Sequence, residues 1–286
     1  MYVIAGVSGH TGSVVASTLL AAKQPVRVIV RDAAKGAEWK ARGAEVAIAS
    51  LDDEAALGRA LAGAKGAYLL IPPSAWNATD IPRERAKVAA AILGAVRAAR
   101  PGHVVLLSST GAELPSGTGP IQYIHPIEQG LRQAGVPSTF LRAAYFMDNW
   151  AGMVKGAIDG GALYYGVRAD VRFSQVATQD IGKVAARLLV EGAPVGTRVV
   201  ELAGPVDTTL QDTADAISKV AGKPVNAVSV PPAATIEALV GMGASRELAE
   251  MYAEMTEAIN EGRIRWQGKD LVRGSITLEQ KFRELI

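Results

Sequence analysis

The 286-residue chain contains no cysteine. This excludes a disulfide scaffold, a thiolate zinc or iron–sulfur site, and a cysteine nucleophile. Histidine is scarce as well: His10, His103 and His125 lie far apart without ligand spacing, so no metal site is expected. An excess of one charge is also missing. Lys and Arg number 30 against 28 Asp and Glu, a formal net charge of +2, which offers no general attraction for nucleic acid or an anionic membrane. No run of about 18 uninterrupted apolar residues is present to span a bilayer. The N-terminus lacks both the basic region and the continuous apolar stretch of a signal peptide, so a soluble cytoplasmic protein is expected. Apolar residues, by contrast, make up 49% of the chain, and a fifth of it is charged, enough for a substantial core.

Through the first half, strand-like and helix-like stretches alternate. Tyr2–Ala5, Val26–Val30, Glu45–Ala49, Ala67–Ile71 and His103–Ser108 read as strands. Between them Thr11–Ala22, Lys35–Arg42, Asp53–Ala62 and Arg83–Arg100 read as helices. Such alternation predicts an α/β fold, a Rossmann-type doubly wound parallel sheet with right-handed crossovers. The second half is less regular, with helices expected at Pro126–Ala134 and Phe146–Asp159. Strands are expected at Ser138–Leu141, near Arg172–Ser174 and at Val199–Leu202. The division expected is a nucleotide-binding domain over 1–150 and a smaller α/β C-terminal substrate region over 151–286 that partly returns to the main sheet. No repeat or clean linker sharpens that boundary.

The first strand runs into Gly6-Val7-Ser8-Gly9-His10-Thr11-Gly12 and then into a helix. The first glycine permits a sharp turn, the second lets a phosphate approach the backbone, and the third allows helix and strand to pack closely. Free N–H groups at the helix start then face an anion. With 30 glycines in the chain the spacing alone is weakly specific; its place on the first strand–helix turn gives it weight. The second strand ends in Arg31-Asp32, with Lys35 one turn on. A guanidinium pairs well with a 2′-phosphate and Lys35 adds a point charge, whereas Asp32 could serve a ribose hydroxyl. NADP(H) is favoured as cofactor, NAD(H) being the lesser alternative.

Beyond these motifs, the segments Gly6–Gly12, "VIVRDAAK" (28–35), "LLSS" (106–109), "EQGLRQAGVPSTFLRAAYFMDN" (128–149) and "VVELAG" (199–204) make the chain resemble the NmrA-like family over nearly its whole length. These are atypical short-chain dehydrogenase/reductase relatives that include quinone oxidoreductases and azoreductases. The resemblance implies that Gly6, Ser8, Gly9, His10, Thr11 and Gly12 take the pyrophosphate and Arg31 the 2′-phosphate. It places Ser50 and Leu51 beside the adenine, Ile71, Pro72 and Pro73 at the nicotinamide ribose, and Ala144, Tyr145 and Phe146 at the nicotinamide edge. Two departures stand out. Ser50 replaces an aspartate common in the family, and Ile124, with His125 beside it, replaces a lysine carried by many relatives.

Short-chain dehydrogenases use a Tyr-x-x-x-Lys pair for proton transfer, yet none of the seven tyrosines here has a lysine four residues later. Ordinary alcohol oxidation is therefore not expected. An electron-poor quinone can still accept hydride, because positioning supplies much of the rate. His125, with Tyr123 nearby, is the candidate proton donor; a loop histidine without chemistry is the alternative. Ser108 and Ser109 end the fifth strand, without a nucleophile elbow, where Ser108 could meet nicotinamide and Ser109 substrate. Phe146, Trp150 and Phe173 are candidate walls for a flat aromatic acceptor, or simply core. Met242–Met255 reads as a core or dimer-contact helix ahead of a lid, leaving a homodimer open. The expected partner is thus a quinone-like or azo small molecule. The competing reading is a non-catalytic NADP(H) sensor.

Overall fold

Residues 1–268 and 270–286 are described by the structure, a computed structural model. The first half follows the predicted alternation: β1 (Tyr2–Ile4), α1 (His10–Ala21), β2 (Val26–Val30), α2 (Ala33–Ala41), β3 (Glu45–Ile48), α3 (Glu54–Leu61), β4 (Gly66–Leu69), α4 (Ile81–Ala99), β5 (Val104–Ser109), α5 (His125–Ala134) and β6 (Ser138–Ala143). Next come β7 (Tyr145–Phe146), α6 (Ala151–Gly160), β8 (Ala162–Tyr165), β9 (Phe173–Val176), α7 (Thr178–Glu191) and β10 (Thr197–Ala203). The chain closes with β11 (Asp207–Thr208), α8 (Leu210–Ala221), β12 (Asn226–Ser229), α9 (Pro232–Gly241), α10 (Arg246–Asn260), β13 (Leu271–Arg273) and α11 (Leu278–Leu285).

Eight strands form one sheet in the order β13-β10-β6-β5-β4-β1-β2-β3, and every pairing in it is parallel. Both faces are covered, which explains why β4 and β5 read as continuous apolar runs instead of alternating. On one face α1 and α7 pack over Ile4, Val28, Tyr68 and Leu202. On the other, α3, α4 and α5 cover Val3, Ala67, Leu106 and Phe140. From β1 the chain winds outward to β3 and then returns to lay β4 against the other side of β1. This reversal opens a crevice at the carboxyl ends of the strands, the usual ligand position in such sheets.

Residues after 150 contribute directly to this sheet. They supply β10 and β13, with Leu202 opposite both Ala143 and Val272, and they supply α7 beneath α1. What remains of the second half forms a third core around Trp150, Leu163, Phe173, Ile217 and Phe282, with the small sheets β11-β9-β7 and β12-β8. The helix expected to start at Phe146 begins instead at Ala151. Tyr145 and Phe146 are drawn into pairing with β9, and Met147–Trp150 form a 3₁₀ turn. Among the described residues no helix is long and apolar enough to cross a membrane.

Candidate functional site

The glycine loop sits at the end of β1, facing the crevice. Gly6 takes φ +69°, a left-handed conformation that a glycine adopts without strain, and Gly9 N–H closes the turn onto the Gly6 carbonyl at 2.9 Å. A Cβ on Gly12 would lie 2.4 Å from the Ala5 carbonyl oxygen, so only glycine lets α1 approach β1 this closely. No side chain caps α1 and no acidic residue occupies its first turn, which leaves the positive end of the helix uncompensated. Ser8, Gly9 and His10 are exposed there. Thr11 differs from expectation: it is buried, and its hydroxyl accepts from Tyr68 Oη at 2.9 Å, so the face it keeps for a phosphate is its backbone N–H.

At the end of β2, Arg31 and Asp32 have different surroundings. Asp32 is the N-cap of α2 and its Oδ1 accepts from Ala34 N–H at 2.9 Å. Arg31 and Lys35 are exposed, and neither makes an ion pair among the described residues. At the end of β3, the Ser50 hydroxyl donates to Asp52, whose other oxygen holds Lys87 Nζ at 2.6 Å. Hydrogen bonding from Lys87 lowers the Asp52 pKa. Leu51 and Ile71 lean on the α3–α4 core, while Pro73 is exposed. The Pro72 carbonyl is held by buried Arg85, whose Nε also donates to Ser74 Oγ at 2.9 Å. Arg85 thus fixes the loop that would border the nicotinamide ribose.

Helix α10 links the start of α4 to the turn before α5. Glu247 accepts from Ile81 N–H at 3.3 Å and Glu254 from Gly119 N–H at 2.8 Å. Trp76 Nε1 donates to the Met242 carbonyl at 3.1 Å. Met251 and Met255 are buried and Met242 is 60% exposed, so most of the methionine-rich stretch is packed inward.

Two of the candidates need correction. Trp150 is fully enclosed, its Nε1 donating to buried Gln175 Oε1 at 2.6 Å, and no face is left for a ligand. Ser108 is buried too, and its hydroxyl donates to Glu128 Oε1 at 2.6 Å instead of pointing to the crevice. Ser109 is half-buried, with its hydroxyl on the Thr110 carbonyl at 3.1 Å. Phe146 packs on the α1–α7 core. Tyr145 faces the opposite way, in an aromatic cluster with Trp150, Tyr165 and Phe173 at centroid distances of 5.4, 6.0 and 5.8 Å. Its oxygen accepts from Tyr165 Oη at 3.0 Å, and burial raises its pKa well above the usual phenol range.

His125 opens α5, with Nδ1 2.9 Å from the Ala112 carbonyl. A carbonyl only accepts, so Nδ1 carries the proton and the neutral ring presents an Nε2 lone pair; donation through Nε2 requires the imidazolium. Tyr123 packs with Ile81, Leu248, Met251 and Tyr252, and burial raises its pKa. The two therefore serve separate contacts.

A buried charge network escaped the sequence reading. Arg142 on β6 grips Glu128 through Nε (3.0 Å) and Nη2 (2.7 Å), and reaches Glu113 through Nη1 at 2.8 Å. On the next strand Glu201 accepts from Gln267 N–H at 2.6 Å and Gly268 N–H at 2.8 Å, anchoring the segment that carries Arg265 and Trp266. An arginine inside the otherwise buried strand STFLRA was the available signal, because a charge there requires a partner. A cavity of about 310 Å³ opens beside this segment, walled by Thr110, Ala144, Tyr145, Phe173, Ile264 and Trp266.

Comparison with known proteins follows this geometry. The model of the NmrA-like family matches residues 2–280. An NAD(P)H azoreductase of Xenophilus azovorans is 28% identical, the match covering 89% of this chain and 86% of that protein. A (4-alkanoyl-5-oxo-2,5-dihydrofuran-3-yl)methyl phosphate reductase of Streptomyces griseus is 32% identical over 79% of this chain and 75% of its own. The crystal structure of an NADPH-dependent quinone oxidoreductase from Escherichia coli, complexed with NADPH, superposes with a TM-score of 0.86 at 27% identity, covering 100% of this chain and 99% of the other. The protein belongs to the NmrA-like family.

Proposed function

We propose that this protein is an NADPH-dependent reductase of quinones or similarly flat, electron-poor acceptors, azo compounds included. The observation that carries the reading is the end-to-end likeness to the NADPH-bound quinone oxidoreductase. The residues present fit the dinucleotide. An uncapped helix end with exposed Ser8, Gly9 and His10 suits a pyrophosphate, and Arg31 with Lys35 suits a 2′-phosphate, while Asp32 caps its helix through Oδ1. When bound, reduced nicotinamide supplies hydride to the acceptor.

The chain's own part is positioning and charge stabilisation. Arg85 would hold the loop at the ribose, and Ala144 with the Tyr145 backbone would border the ring. The aromatic walls of the adjoining cavity would stack a flat acceptor. Negative charge that develops on the acceptor oxygen needs a hydrogen-bond donor or solvent. His125 and Tyr123 are the candidates for that proton, although neither lines the cavity.

The test is NADPH oxidation followed at 340 nm with a panel of quinones and azo dyes. Turnover above the protein-free rate is expected for at least one class. No turnover anywhere, together with different affinities for oxidised and reduced cofactor, would replace this reading with that of a redox sensor.

A further inference from the structure

Resting on the reductase reading, we infer that the cavity at the ends of β5 and β6 is the acceptor site, and that it selects aromatic acceptors carrying an anionic oxygen group, a sulfonate or carboxylate, received by Arg265.

Position argues first. Thr110 follows β5 and Ala144 follows β6, so the cavity starts at the strand ends where the nicotinamide edge is expected, and at about 310 Å³ it admits a molecule of one or two rings. The walls argue next. Tyr145, Phe173 and Trp266 present ring surface and Ile264 an aliphatic side, the lining that a planar aromatic fills.

Charge completes the case. Among the described residues Asp207 is the one carboxylate on the cavity wall, and it is neutralised: it accepts from the Ser174 hydroxyl and pairs with Arg273 at 2.6 Å. Arg172, also on the wall, donates to the Asp207 carbonyl at 2.9 Å and faces Asp212 at 3.7 Å. Arg265 shares the wall but makes neither an ion pair nor a side-chain hydrogen bond among the described residues. The rim therefore carries one uncompensated positive charge.

That charge stands on a fixed backbone. The next residue, Trp266, donates Nε1 to Ser174 Oγ at 2.8 Å, and Gln267 and Gly268 are bound by Glu201. The Gln267 side chain adds a bond to Glu113 Oε1 at 2.9 Å. The anchored backbone keeps Arg265 on the wall of the aromatic slot, and its free guanidinium can offer a planar anionic group paired N–H donors.

The proposal is tested by calorimetric titration of the whole protein with 2-naphthalenesulfonate and with 2-naphthol, a neutral ring system of the same size. The sulfonate is expected to bind about tenfold more tightly, one charge-assisted contact. Arg265→Gln should abolish that difference, while Lys40→Gln, which removes the same charge from α2 far from the cavity, should keep it. Equal binding of the two ligands, or equal effects of the two variants, overturns the proposal. In turnover, the preference for a sulfonated over an unsubstituted naphthoquinone should fall about tenfold in Arg265→Gln relative to the parent. If no quinone reacts but the sulfonate binds through Arg265, the reductase reading fails and the anion site stands. Turnover with a preference that Arg265→Gln leaves unaltered gives the opposite result.

Discussion

Replacing Arg31 by alanine tests the cofactor assignment where the structure is most specific. Arg31 is exposed and has no carboxylate partner among the described residues, while Asp32 Oδ1 beside it accepts from Ala34 N–H at 2.9 Å. A charge-assisted hydrogen bond is worth roughly 1.5–3 kcal/mol, and solvent screening at this open position puts the contact at about 2 kcal/mol. Arg31→Ala should therefore weaken NADPH binding about 30-fold. NADH, with a neutral hydroxyl at the 2′ position, should lose less than about threefold, and rising salt should narrow the gap between the two cofactors. Asp32→Ala gives the complementary result. Loss of the cap should cost about 1 kcal/mol of stability, a fall of about 2–4 °C in Tm, without reversing cofactor preference. The assay is titration of both cofactors by calorimetry at two salt concentrations, with Tm read in parallel. Equal weakening of NADPH and NADH by Arg31→Ala, or selective loss of NADH binding in Asp32→Ala, would refute the assignment.

Three further outcomes are expected. Gly12→Ala must push α1 off the Ala5 carbonyl, costing about 2 kcal/mol and most of the NADPH affinity; unchanged binding would show that the loop is not the pyrophosphate site. His103 is buried at the start of β5 with Nε2 2.9 Å from Thr139 Oγ1, and burial lowers its pKa from 6.5 to about 4. The unfolded chain takes up this proton below 6.5 while the native one does not, so stability falls by about 3 kcal/mol between pH 6.5 and 4. Urea unfolding across that window should show a shallower slope in His103→Gln, and an identical slope would reject the burial argument. For His125→Ala, kcat should drop with cofactor affinity unchanged; an unaltered rate means that solvent provides the proton.

What the sequence revealed was local. The glycine loop, the strand that precedes it and the Arg31-Asp32 step each work within a dozen residues, so spacing and propensity expose them. Asp32 itself was ambiguous until its cap to Ala34 was visible. Trp150 stayed open between pocket wall and core because its burial depends on Gln175, which reaches it through the pairing of β7 with β9. Ser108 turned inward for a similar reason, since Glu128 arrives on a helix 20 residues later and is already held by Arg142. Arg265 and Trp266 carry no local signal at all. Their placement depends on Glu201, more than 60 residues earlier, whose carboxylate caps two backbone amides of that segment.

The return of β10, β13 and α7 to the nucleotide-binding sheet makes the two halves of this chain inseparable. A fragment ending near residue 150 would lack two strands from one side of its sheet and the helix that shields Val14 and Thr11, whose packing requires Gly182. The two halves therefore do not behave as exchangeable modules. If 261–268 lines the acceptor site, acceptor choice is best altered in that short segment on a scaffold left whole; joining the front of one relative to the back of another would make strands and helices of two different sequences mate within a single sheet.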